Sequence, residues 1–300
     1  MLNGLLGLFS PPFLALSLSF AAAGAAAGNY DGGFSLTNTL LILLGASAAH
    51  AAMNALHARV ALRHGGDAGA QAPYMWESAP VRRGLTPAGA LRAGMIGLGV
   101  AGAVFVYFLA DDALYGGGAP TIPLATVWLL VALLYADVFS RMGLGELAAA
   151  AGVGVLPVVG AAFVQDGLLG PAAVAFAVTS FFLVLSLALL DGVGDVDADR
   201  ASGIRSVAVL LGRKTAARLF VISALAVPIF MLAAMALAAL PWTSLLALLP
   251  FVLVVSPIGW GLRRPADPPP PGALRRVVSW GVTTALLLVV AVVVASYFRF

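Results

Sequence analysis

Four carboxylates, Asp191, Asp195, Asp197 and Asp199, fall within nine residues in the stretch DGVGDVDAD. The run just before them, FAVTSFFLVLSLALL, is apolar enough to cross a bilayer. An aspartate at bilayer centre costs roughly 2.5–3.5 kcal/mol on insertion scales, and the cost falls at the water interface. Asp191, Asp195 and Asp199 are spaced four apart, so on a helix they form one column, while Asp197 points elsewhere. Three anions in a column repel one another unless a cation lies among them. Carboxylate oxygens with no thiol or imidazole nearby suit Mg²⁺, which keeps waters and shares ligation with substrate phosphates. The same residues also fit a solvated acidic helix end paired with Arg200 and Arg205. Basic neighbours do not separate the two readings, because a diphosphate site needs them as well.

Other polar groups are sparse. His50, Asn54, His57 and Ala61 follow a 4-3-4 spacing and share one helix face. Polar groups on one side of a membrane helix mark a cavity or a helix–helix contact. The spacing of the two histidines admits a transition metal, but no carboxylate stands on the same turn, and a packing or substrate contact fits better. Two long polar segments follow apolar runs. Residues 63–87 carry Asp67, Gln71, Glu77, Arg82 and Arg83, and residues 191–215 carry the acidic column, Arg205, Arg213 and Lys214. Long membrane connections of this kind tend to be functional. Glu146 opens a predicted helix, where a carboxylate suits the N-terminal dipole as well as it suits a site. Pro157 and Gly160 predict a kink in that helix. The segment RRPADPPPPGALRR reads as a stiff spacer, its Arg pairs anchored at lipid phosphates.

The elements that must carry these residues are membrane helices. The chain has 300 residues, of which 61% are hydrophobic and only 10% charged, and its mean hydropathy is +1.02. No soluble domain of this length needs so much apolar residue. Apolar stretches of spanning length lie near 8–28, 37–60, 88–110, 121–139, 144–165, 168–190, 216–238, 243–262 and 273–297, which predicts nine helices in one domain, 1–300. With that count, 15 of the 16 basic residues fall on one side, in the connections after the second, fourth, sixth and eighth stretches. The positive-inside rule makes that side cytoplasmic, with the N-terminus inside and the C-terminus outside. The first stretch is read as a retained helix; its removal as a signal peptide would spoil this topology. Cysteine is absent, so thiolate chemistry and disulfides are excluded. The net charge of +3 is no nucleic-acid footprint, since the basic residues sit between apolar runs. Carboxylates at a membrane edge, away from the midplane, also argue against a transporter.

With these motifs in view, the chain resembles the UbiA superfamily of intramembrane prenyltransferases, most closely the branch that prenylates 1,4-dihydroxy-2-naphthoate for menaquinone. The strongest match is DGVGDVDADRASGIRSVAVLLGR, where Asp191, Asp195, Asp199, Gly203, Arg205 and Gly212 fit the family pattern. The stretch MGLGELAAAAGVGVLPVVGAAFVQ fits the branch too, with Gly143, Glu146, Gly160 and Gln165 in place, and GLTPAGALRAG resembles its third-helix start. In the first motif His50, Asn54, Gly65 and Asp67 match, but Ala58 and Ala61 stand where the family has aspartates, and Ala79 precedes Pro80 where it has arginine.

The resemblance implies an all-α membrane bundle of nine helices around a laterally open central cavity, capped on the cytoplasmic side by the loops after the second and sixth helices. It implies Mg²⁺ held by Asp191, Asp195 and Asp199 as metal ligands and catalytic residues. Asn54, His57, Asp67, Arg205 and Lys214 are the expected substrate contacts. The expected partners are a polyprenyl diphosphate, an aromatic or other lipid acceptor and membrane lipids, in a bacterial-type inner membrane. Departure of pyrophosphate would leave an allylic cation for the acceptor to attack. A terpene cyclase, or a non-catalytic isoprenoid- or quinone-binding homologue lacking half of the metal site, are the alternatives.

Overall fold

The computed structural model describes residues 11–63, 86–115 and 121–298. Among them the secondary structure is helical throughout, with no strand. The helices are α1 (Pro11–Asp31), α2 (Leu36–Arg63), α3 (Pro87–Tyr115) and α4 (Thr121–Leu134), then α5 (Gly145–Ala149), α6 (Leu156–Asp166) and α7 (Pro171–Ser202), and finally α8 (Val207–Leu211), α9 (Arg213–Ala236), α10 (Val255–Arg263) and α11 (Ala273–Phe298). Eight helical segments among the described residues are long and apolar enough to cross a membrane, and Ile122–Leu134 is a shorter apolar helix. The predicted fourth span thus differs from the others. After Leu134 it widens into a π-helical turn, Tyr135–Phe139, and ends in the helical turn Ser140–Met142.

The predicted fifth span is one continuous helical path in three pieces. Between α5 and α6 lies a π-helical stretch, Ala150–Val155, in which the Leu156 N–H donates to the Ala151 carbonyl five residues back. Pro157 follows at once. A proline has no N–H for the carbonyl four residues earlier and crowds it sterically. A wider turn before it relieves that crowding, at the place where the sequence predicts a kink. The eighth span departs further: Trp242–Val254 is a 3₁₀ helix with Pro250 inside it, and α-helix resumes only at Val255.

The core is built from α1, α7, α9 and α11, centred on Phe20, Phe176, Phe220, Met231 and Trp280, all nearly inaccessible. Small residues let the backbones approach, as expected where lipid gives helices no hydrophobic drive to associate. A Cβ on Gly154 would stand 2.7 Å from the Ser180 carbonyl of α7, and one on Gly97 would stand 2.7 Å from the Ala48 carbonyl of α2. The large apolar side chains that remain exposed, such as Leu40, Ile96, Ile229 and Val252, lie on the spanning helices and suit a lipid solvent.

Candidate active site

The acidic motif is not a loop. The sequence places the end of the sixth span near residue 190, but α7 continues through all four aspartates to Ser202. The stretch from Pro171 to Leu190 rises about 30 Å at 1.5 Å per residue, roughly the hydrocarbon thickness of a bilayer. Asp191 therefore follows a stretch long enough to cross that hydrocarbon. The helix stops at Gly203, whose φ of 73° is the left-handed cap conformation that glycine adopts without penalty. Gly212, with φ 83°, makes the second break, and α8 lies between the two.

The column sorts by side as its spacing requires. Asp195 is buried, with 9% of its surface accessible, and Asp191 and Asp199 are half-buried. Asp197, two positions from Asp195 and about 200° around the helix, is exposed. It pairs with basic side chains: Arg213 Nη2 donates to its Oδ2 at 2.7 Å, and Arg200 Nη1 lies 4.0 Å from its Oδ1. The solvated-end reading fits Asp197, with Arg213 beside the expected Arg200. Val193, Val196, Ala208, Ala216 and Ala217 form the apolar cluster that covers this end of α7.

Three neighbouring contacts hold the segment that follows. The Arg205 N–H donates to the Ser140 carbonyl at 2.8 Å. The Val207 N–H donates to Glu146 Oε1 at 2.6 Å. Gly192 on α7 faces both Glu146 and Ser206, close enough that a Cβ there would touch them at 3.6 and 3.4 Å. Glu146 is buried, and its Oε2 has no hydrogen-bond partner among the described residues. The sequence left Glu146 open between a helix start and a site role; it anchors the start of α8 against α7. No signal in one sequence joins positions 61 residues apart. The far end of α7 is held as well. Asp31, at the end of α1, accepts the Ala172 and Ala173 N–H groups at 3.4 and 3.2 Å, which satisfies donors that a helix N-terminus leaves open.

The remaining expected residues are spread out. Arg205 and Lys214 are exposed, Arg205 in the turn after α7 and Lys214 in the first turn of α9. Asn54 is half-buried on α2. Asp67 and the His57 side chain lie outside the described residues, as does the loop after α2 that was expected to complete a cap. Ala58, at one of the lost aspartate positions, is buried against Ala55 of its own helix and Ala90 of α3. Among the described residues no three His, Cys, Asp or Glu side chains converge on a point where one ion could sit.

The UbiA prenyltransferase family matches residues 17–280, and the chain belongs to that family. No curated protein matches the sequence. Solved structures share the fold at low identity. A UbiA homologue from Aeropyrum pernix K1 is 19% identical, with a TM-score of 0.66, over 94% of this chain and 97% of its own. A UbiA homologue from Archaeoglobus fulgidus bound to GPP and Mg²⁺ is 15% identical, with a TM-score of 0.64, over 97% and 99%. A digeranylgeranylglyceryl phosphate synthase is 13% identical, with a TM-score of 0.65, over 98% of each chain.

Proposed function

We propose that this membrane protein transfers a polyprenyl group from a prenyl diphosphate to an aromatic acceptor resembling 1,4-dihydroxy-2-naphthoate, with Mg²⁺ bound at the Asp191, Asp195 and Asp199 column. The observation that carries this reading is the burial of Asp195 at the hydrocarbon edge of α7. Carboxylates placed at the end of an apolar run can supply one or two ligands to Mg²⁺, which completes its shell with waters and the phosphates of a lipid diphosphate. In this reading the column binds and orients the metal. Arg205 and Lys214, both exposed, draw the diphosphate in and neutralise the leaving pyrophosphate. Glu146 fixes the start of α8, and through it the turn that carries Arg205. The metal, when bound, stabilises charge on the leaving group. The metal-holding side faces the cytoplasm of a bacterial-type inner membrane, on the charge distribution of the loops.

A second reading rests on Ala58. Its packing against Ala55 and Ala90 leaves that side of the family's metal apparatus apolar, which favours a homologue that binds an isoprenoid without turning it over. One experiment separates the two. The purified protein in nanodiscs is incubated with Mg²⁺, labelled geranylgeranyl or farnesyl diphosphate and dihydroxynaphthoate. Prenylated acceptor is the expected product. Bound isoprenoid with no pyrophosphate released supports the second reading, and a cyclic hydrocarbon would reveal a cyclase.

A further inference from the structure

The strongest uncompensated charge among the described residues lies away from the acidic column, where α10 meets α11. Arg263 and Arg264 close α10, and Arg275 and Arg276 stand in the first turn of α11, so four arginines fall within fourteen residues with Asp267 the one acid among them. Both pairs lie at one end of the bundle. The 3₁₀ run and α11 are antiparallel: Thr243 Oγ1 donates to the Ala291 carbonyl at 2.9 Å, and the Phe251 and Trp280 rings meet edge to face at 5.8 Å. Two tight turns join the pairs, closed by the Asp267 N–H on the Arg264 carbonyl and the Ala273 N–H on the Pro270 carbonyl. The acidic column is at the same end, since a Cβ on Gly261 would stand 3.2 Å from the Ala217 carbonyl near the start of α9.

The four side chains are exposed but firmly mounted. Pro269 is buried between the pairs, and Ala273, Leu274, Val277 and Val278 are buried on either side of Arg275 and Arg276. None of the four has a carboxylate within ion-pair distance among the described residues, whereas Arg200 and Arg213 share Asp197. Like charges this close repel one another. A phosphate relieves that repulsion, and a guanidinium binds it through two parallel hydrogen bonds without a metal. Apolar surface adjoins the charge. On α11, Arg276, Ser279, Thr283, Leu286 and Val290 follow a 3-4-3-4 spacing and are all exposed, so they form one column. Thr283 donates its hydroxyl to the Ser279 carbonyl and asks for no other polar partner. The ten residues from Arg276 to Leu286 rise about 15 Å, half the hydrocarbon thickness and so the depth of one leaflet. Leu262 and Val255 are likewise exposed on α10.

We propose that the α10–α11 end is a binding surface for an anionic phospholipid, its phosphodiester on the arginine pairs and its chains along the exposed apolar columns. The headgroup charge follows from the absence of compensation. The ammonium of a zwitterionic lipid would enter a field of four positive charges with Asp267 alone to meet it. A prenyl diphosphate suits the surface less well, because its Mg²⁺ would find only that same carboxylate. The surface stands whether or not the protein transfers a prenyl group.

The test uses the full chain in detergent micelles holding equal amounts of dioleoyl phosphatidylglycerol and dioleoyl phosphatidylcholine, with retained lipids counted by native mass spectrometry. One arginine beside an anionic lipid is worth roughly fivefold in affinity, so wild type should retain phosphatidylglycerol at least about tenfold over phosphatidylcholine. Arg263→Gln, Arg264→Gln, Arg275→Gln and Arg276→Gln together should bring that ratio to within about twofold of unity. Arg276→Gln alone should lower it about fivefold, and it carries the test if the fourfold variant does not fold. Arg92→Gln removes an exposed arginine at the start of α3 instead and should leave the ratio within about twofold of wild type. Equal retention of the two lipids by wild type, or a preference that survives the four substitutions, would overturn the proposal. A loss in Arg92→Gln equal to that in Arg276→Gln would overturn it too, by assigning the preference to the charge of the whole face. Displacement of phosphatidylglycerol by farnesyl diphosphate with Mg²⁺ would do the same, by giving these arginines to the diphosphate.

Discussion

The two helix ends that the family pattern pairs, the end of α2 and the end of α7, have gone different ways. On α7 the acids are kept, and the helix is built to hold them. It outruns the hydrocarbon, buries Asp195, and turns Asp197 outward to its arginine partners. On α2 the matching turn holds alanine, and Ala58 is sealed against α3 by Ala55 and Ala90. The contrast is one of packing as well as of side-chain type: the acidic column stands at the edge of its apolar cover, whereas Ala58 is packed between α2 and α3.

The largest effect expected on breaking this asymmetry comes from the side that kept its charge. Asp195→Ala should cut Mg²⁺-dependent diphosphate binding and any turnover by roughly 100-fold or more, the scale of a lost charge-stabilising group. Titration of a labelled prenyl diphosphate with Mg²⁺ and with EDTA measures it, and wild-type protein in EDTA should match the variant. Next comes an attempt to rebuild the other side. Ala58→Asp buries a carboxylate among alanines and should lower the melting temperature in detergent by several degrees. A gain in turnover without loss of stability would mean that α2 and α3 part more easily than their packing indicates.

A smaller effect is expected from the support under the column. Glu146→Ala removes the acceptor of the Val207 N–H and should raise KM for the diphosphate about tenfold, more than it lowers kcat, because it acts by loosening the segment next to Arg205. Glu146→Gln keeps an acceptor oxygen and should recover most of the loss. The smallest belongs to the outward acid. Asp197→Asn breaks an exposed pair with Arg213 and should leave binding and turnover within about twofold.

Much of this was legible in the residues. Hydropathy located the eight helices of spanning length among the described residues and counted the shorter Ile122–Leu134 as a ninth, and the four-residue spacing separates Asp197 from its neighbours. Two kinds of feature were not legible. Helix type is one: the π-helical stretches at Tyr135–Phe139 and Ala150–Val155 and the 3₁₀ run Trp242–Val254 depend on how backbone bonds shift around prolines and neighbours, and hydropathy does not register that. Position across the fold is the other. Glu146 meeting Val207, Asp31 meeting α7, and His50 meeting Ser17 each join residues far apart in the chain. The end of α7 was placed too early for a related reason. Acidic residues suggest a loop in water, but here apolar cover from α8 and α9 lets the helix continue.

The Asp31 contact has a further consequence. α7 is fastened at its start by that carboxylate, and the turn just beyond its end is fastened by the Glu146 and Ser140 contacts, so it acts as a strut of fixed length. A thicker or thinner membrane must then be met by tilt of the whole bundle or by deformation of the lipid, not by sliding of this one rod. Lipid chain length would alter how the molecule leans, while the acids keep their height relative to the helices around them.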